Sequence, residues 1–285
     1  MHPRGSAHGH FPQLTHGDLR CKKDEIHSMW LRKWLAHPLT RDMDLEDPRT
    51  TRLRRRIILE KPFLREIYRD WYTSIKRALP VGPEPVLELG SGAGFLSDFV
   101  PDLITSDVLH CDEICAVLDG QCLPFPAARL RAVVMTDVLH HLPNARQFFY
   151  ESARCVRPGG GIIMIEPWVT PWSRLIHTRL HHEPFRPDAA QWEFPSSGAL
   201  SGANGALPWI IFERDRTRFE QEFPYWHIDS IELMMPLLYL VSGGVSMRNL
   251  MPGCLYRPWQ GVEKALSPWI NKLAMFALIR LERTF

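Results

Sequence analysis

The chain has 285 residues, 45% apolar and 23% charged, with a formal net charge of +2. That is an ordinary globular composition: it excludes disordered and fibrous classes and leaves no global electrostatic case for a nucleic-acid partner. Six cysteines without a CxxC pair read as reduced thiols of a cytoplasmic protein, and Cys111 and Cys115 beside His110 lack the second ligand pair of a structural zinc site.

Residues 1–18, rich in His, Gly and Pro and without the apolar run of a signal peptide, are expected to form a disordered tail. Residues 19–80 read as an N-terminal helical segment. Within it Arg52, Arg54, Arg55 and Arg56 form a basic run, whose first reading is a solvated helix face and whose second is a phosphate patch. From Pro62 to Leu79 the residues Leu64, Ile67, Tyr68, Trp71, Ile75 and Leu79 recur at three- and four-residue spacing, which predicts an amphipathic helix opened by Pro62 and closed by Pro80.

After the turn at Val81–Pro85 the pattern changes to short apolar runs separated by helical stretches. The runs at Val86–Leu89, Leu103–Thr105, Ala116–Leu118, Ala132–Met135 and Gly161–Ile165 fit five buried parallel strands, continuously apolar because both faces are covered. The first run leads into Gly90-Ser91-Gly92-Ala93-Gly94, with a helix expected to follow. Glycine serves where the backbone turns tightly or where a ligand lies on the main chain. The spacing is G-x-G-x-G with Phe95 where a dinucleotide fingerprint needs glycine, and Glu88 precedes it by two residues. Asp107 ends the second run 19 residues after Glu88, the spacing at which such folds place an acid on ribose hydroxyls.

Together Glu88-Leu-Gly90-Ser91-Gly92-Ala-Gly94, Asp107, Asp119-Gly120, the loop Asp137-Val-Leu-His140-His141-Leu and the turn Arg157-Pro-Gly-Gly-Gly161 resemble class I S-adenosylmethionine-dependent methyltransferases, in particular the type 11 group of quinone biosynthesis. The resemblance spans roughly residues 86–167. It implies a Rossmann-like, doubly wound α/β core at 81–167 with a mostly parallel sheet, and S-adenosyl-L-methionine as cofactor. It implies that the glycine loop contacts the amino-acid part of the cofactor, with Glu88 near its ammonium or the loop backbone, Asp107 on the ribose and Asp119 with Gly120 at the adenine edge. His140, His141 and Glu166, at the carboxyl edge of the sheet, are the candidates for contact with the acceptor or for general-base work.

Beyond Glu166 the chain turns rich in Trp, Pro and His. Residues 168–285 are read as a helical and irregular elaboration on the substrate side, completing the fold, with a helix at Thr170–Leu180, a loop from Glu183 to Pro208, a strand around Tyr225–Leu233 and a helix from about Val262 to Glu282. His177, His181, His182 and Glu183 rank first as a polar face, then as acceptor contacts, and last as metal ligands, so no metal is expected. The stretch Leu233–Met247 is too short to span a bilayer. Leu266, Trp269, Ile270, Leu273, Phe276 and Ala277, punctuated by Lys264, Lys272, Arg280 and Arg283, raise a peripheral membrane contact through the last helix, with core packing as the plainer alternative. The expected activity is methyl transfer to a small-molecule or lipid-like acceptor; the rival is a non-catalytic cofactor-binding or scaffold protein on the same fold.

Overall fold

A seven-stranded sheet whose inner strands are buried on both faces is the centre of the computed structural model, which describes residues 37, 48–180, 183–195, 198 and 202–285. The expected tail at 1–18, most of 19–47 and the pair His181-His182 lie outside the described residues. The chain divides into units Met1–Leu35 and Ala36–Phe285, and all described residues belong to the second. In chain order its main elements are α1 (Pro48–Glu60), α2 (Pro62–Ala78), β1 (Val86–Leu89), β2 (Leu103–Asp107), β3 (Ala116–Val117), β4 (Leu130–Thr136), α3 (Ala145–Cys155) and β5 (Val156–Pro167). There follow α4 (Pro171–Leu180), α5 (Arg216–Glu222), β6 (Trp226–Met234), α6 (Leu238–Ser242), α7 (Tyr256–Leu266), α8 (Ile270–Leu273) and β7 (Phe276–Arg283).

The strand order is β3-β2-β1-β4-β5-β7-β6, with β1 to β5 parallel and β7 antiparallel to both its neighbours. Alternate strand residues feed two cores, as the two-residue period demands. Leu87, Leu89, Val133, Met135, Ile162 and Met164 face a core shared with Phe148 and Phe149 of α3 and Phe219 of α5. Val86, Ala132, Val134, Ile163 and Ile165 face the other, covered by Ile67, Trp71 and Ile75 of α2. Proline at the first turn starts α2, and extended Leu79 before Pro80 stops it.

Two expectations need correction. No α-helix follows the glycine loop: Ser91–Ala93 and Leu96–Asp98 form only 3-10 turns, and no helix separates β2 from β3 or β3 from β4. Gly92 and Gly94 within three residues each cost a helix about 1 kcal/mol relative to alanine. The helix expected over Val262–Glu282 is broken as well. It is α7, a 3-10 turn at Ser267–Trp269, the single turn of α8, and then a strand between β5 and β6. Pro268 supplies the break, and Phe276, Ala277 and Ile279 are buried in the sheet rather than displayed on an interfacial stripe. The membrane-contact expectation thereby loses the continuous amphipathic helix that motivated it. No helix among the described residues is long and apolar enough to cross a membrane. Cys111, Cys115, Cys122, Cys155 and Cys254 are free thiols.

Because Ile279 is fully buried on the strand that joins β5 to β6, Ile279→Ala is expected to lower the unfolding free energy by about 2–5 kcal/mol. Urea denaturation followed by tryptophan fluorescence measures it; a loss under about 0.5 kcal/mol is the value of an exposed position and contradicts the strand.

Candidate functional site

The chain runs outward from β1 to β3 and returns on the other side through β4. At the carboxyl ends of β1 and β4 the topology therefore reverses, which is where open α/β sheets take their ligands. A cavity of about 520 Å³ lies there, room for roughly seventeen waters at about 30 Å³ each. Of the residues singled out from sequence, Gly90, Asp107, Asp119, Gly120 and His141 line it.

Gly90 ends β1 with φ of 71°, and a side chain there would collide with Val138 at 2.4 Å, so glycine is required twice over. Gly92 does not line the cavity. A Cβ on it would meet Thr51 Cγ2 at 2.5 Å and Asp107 Oδ2 at 2.7 Å, so this glycine lets α1 close over the loop. A Cβ on Gly94 would meet the Tyr72 hydroxyl at 2.5 Å, and Gly94's carbonyl accepts a bond from Arg55. Ser91 is a tie between strands: its Oγ accepts from Ser106 N at 3.1 Å, while Ser106 Oγ donates to the Glu88 carbonyl at 2.7 Å.

Asp107 is held by backbone amides, Gly92 N to Oδ2 at 3.1 Å and Leu109 N to Oδ1 at 3.0 Å. Each oxygen keeps a lone pair for a ligand hydroxyl. Burial raises its pKa, and those amide bonds oppose the rise. Asp119 is exposed at the far end of the cavity, where its Oδ1 accepts from Gln121 N at 2.8 Å. Glu88 does not reach the cavity; it is buried beneath the loop, and burial pushes its pKa up to about 7.

The candidates for the chemistry separate into a wall and its support. His141 lines the cavity, whereas His140 and Glu166 are fully buried behind it. Glu166 Oε1 accepts from Val138 N at 2.8 Å and Leu139 N at 2.7 Å, and Oε2 lies 2.8 Å from His140 Nδ1. Burial by itself would lower the His140 pKa, but the carboxylates of Glu166, Glu183 and Asp137 outweigh it and hold the ring well above its ordinary value. Burial and the neighbouring His140 depress His141 to about 3.

Thr51, Arg54, Asp137, Glu183 and Tyr239 also line the cavity. None is singled out from sequence as a cofactor or catalytic residue; Asp137 figures only as the start of a motif, and Glu183 as part of a polar face, then an acceptor contact, then a metal ligand. Asp137 adopts φ of 63°, a left-handed conformation that a residue with a side chain enters at a cost of about 1 kcal/mol. It faces the cavity with 41% of its side chain still accessible, and the protein packed around it pushes its pKa up to about 6. A second, narrower cleft of about 60 Å³ adjoins, lined by Ile176, Leu180, Phe185, Leu240 and Phe276 and sharing Asp137, Glu183, Tyr239 and Ser246 with the first. His177 stacks on Phe185 at 4.4 Å in that cleft.

Residues 87–164 match the family model of the methyltransferase domain. The chain carries a class I S-adenosylmethionine-dependent methyltransferase domain. S-adenosylmethionine is the cofactor of that domain. A malonyl-[acyl-carrier protein] O-methyltransferase of Hahella chejuensis (strain KCTC 2396) is 29% identical over 99 residues. That alignment covers 28% of this chain and 36% of the relative, so the chain spans about a third of the length of the curated relative it matches. A methyltransferase structure from Mesorhizobium loti is similar at 13% identity and a TM-score of 0.44, over 74% of this chain and 96% of that one. Geranyl diphosphate C-methyltransferase from Streptomyces coelicolor A3(2) is similar at 12% identity and a TM-score of 0.46, over 92% and 98%. The fold of the methyltransferase domain rests on its strand order, not on these likenesses.

Glu88 yields a pH prediction. Its folded pKa of about 7 stands above the ordinary 4.5, so between those values the folded state holds a proton that the unfolded state has lost. Stability must then fall as pH rises through that window, by about 3 kcal/mol in all. Glu88→Gln is expected to flatten the fall, seen as converging urea midpoints at pH 5 and pH 8; an unchanged slope would assign the pH dependence to other groups.

Proposed function

We propose that the chain transfers the methyl group of S-adenosylmethionine to a small acceptor that carries a slim apolar arm. The observation that supports this most is the shared wall of the two cavities: one large and acid-lined at the topological switch, the other narrow and apolar, meeting at Asp137, Glu183, Tyr239 and Ser246. When bound, the cofactor supplies an electrophilic methyl on a cationic sulfur. In this reading Asp107 accepts both ribose hydroxyls, Asp119 and Gly120 hold the adenine edge, and Gly90 with Ala93 forms the floor beneath the amino-acid part. Charge supports it too: Asp107, Asp119, Asp137 and Glu183 outnumber Arg54 along the wall and suit a cationic ligand.

The protein's task in methyl transfer is alignment and exclusion of water. Asp137, with its pKa near 6, can take the proton of a hydroxyl acceptor at neutral pH. An oxygen acceptor is also what the Hahella relative's name describes. The narrow cleft admits roughly two waters' volume, which favours a short, slim apolar arm over a bulky ring.

Asp107→Ala is expected to weaken binding of S-adenosylmethionine at least about tenfold, or 1.4 kcal/mol, in isothermal calorimetry. Unchanged affinity would place the ribose elsewhere. Leu240→Trp fills the narrow cleft and should leave cofactor affinity within about twofold while suppressing turnover of methyl-labelled cofactor on chain-bearing acceptors. Should labelling fall equally for compact polar acceptors, the cleft is not the acceptor's seat; should no acceptor from a fractionated extract be labelled by the wild type, the non-catalytic alternative gains the ground.

A further inference from the structure

Behind and within the wall between the two cavities, three metal-ligating side chains converge. The rings of His140 and His141 stand 4.2 Å apart at a tilt of 40°. Glu183 straddles them, Oε2 3.5 Å from His140 Nε2 and Oε1 3.8 Å from His141 Nε2. Their ligand atoms all lie within 4.8 Å of one another. Ligands held at about 2.0–2.1 Å around a tetrahedral ion stand about 3.4 Å apart. Glu183 stands within a few tenths of an ångström of that spacing from each ring nitrogen.

The outer partners turn both rings the same way. Glu166 Oε2 sits 2.8 Å from His140 Nδ1, and its other oxygen is engaged by Val138 N and Leu139 N, so the carboxylate cannot swing aside. The Gly202 carbonyl sits 3.4 Å from His141 Nδ1. Both partners are acceptors, so the proton belongs on Nδ1 and each ring offers Nε2 inward. A carboxylate or carbonyl on the far ring nitrogen is the arrangement that orients metal-binding imidazoles. His140 Nε2 is meanwhile buried without a hydrogen bond among the described residues; its separation from Glu183 is too long for a good one.

We infer that His140, His141 and Glu183 bind a divalent transition-metal ion of the class that favours imidazole with carboxylate, such as zinc. Three protein ligands leave a fourth position for water or substrate. It faces the junction of the cavities, because Glu183 lines both and His141 lines the larger. Asp137 Oδ1, 4.0 Å from His140 Nε2, flanks that position. The ion would hold an oxygen of the acceptor there. That use rests on the function proposed above; the site itself rests on the ligand geometry alone.

Metal-stripped full-length protein, titrated with Zn2+ against a chromophoric chelator and with Co2+ by visible absorption, tests it. Wild type is expected to take up one equivalent more than His141→Ala or Glu183→Ala, with a Co2+ band that both variants lose. The difference is the readout because His2, His8, His10 and His16 supply other donors in the same chain. Glu166→Gln should keep the band and weaken affinity about 10–100-fold. Equal stoichiometry and affinity in wild type and both alanine variants would overturn the site. Calorimetry with S-adenosylmethionine on the stripped protein separates the two readings. A chain that binds cofactor but no additional ion refutes only the ion. One that binds the additional ion but no cofactor refutes only the methyltransfer assignment.

Discussion

The carboxylate of Glu166 organises the end of β4. It is fully buried, and it takes three donors at once: the amides of Val138 and Leu139 and the Nδ1 side of His140. A buried carboxylate is tolerated only when its lone pairs are met, so the turn after β4 has little choice of path. That path sets Asp137 in its left-handed conformation and presses Val138 against Gly90, where any side chain would collide. The floor of the cavity on β1 and its wall on β4 thus depend on one another through a residue that touches neither ligand space. Glu166 supports the wall from behind the cavity.

The same constraint explains the local electrostatics of a chain that is nearly neutral overall. Glu166, Asp137 and Glu183 surround His140, and three acidic side chains this close call for a cation among them. Either an imidazolium or a bound ion meets that requirement. Arg54 enters the cavity from α1. Net charge reports on solubility and steering, not on sites; a balance of +2 is fully compatible with an acidic pocket.

Much of the parallel half of the fold is legible because burial on both faces leaves a plain signature, short continuous apolar runs. Val86–Leu89 coincides with β1 to the residue, and the other runs fall inside or across β2 to β5. The failures have physical causes. Phe276–Arg283 carries apolar residues on both faces, so its run is as compatible with helical spacing as with a strand; Pro268 was the discriminating signal, since a proline in a helix interior removes a bond and clashes with the preceding turn. The missing helix after the glycine loop was legible in the same way, from Gly92 and Gly94.

The site was legible only where its residues are consecutive. Asp107 and Asp119 follow strands and could be counted to, but Thr51, Arg54, Glu183 and Tyr239 reach the cavity from elements far apart in sequence, and no spacing rule brings them together. The basic run shows the limit. Arg56 does form a solvated pair with Glu60, as a solvated face requires. Yet Thr51 and Arg54, three residues apart on one face of α1, turn inward, and Arg55 binds the carbonyl of Gly94. What permits that inward turn is Gly92, which has no side chain where Thr51 packs. The glycine that sequence reading reserves for the ligand is occupied by the helix, and through the helix it shapes the ligand's space.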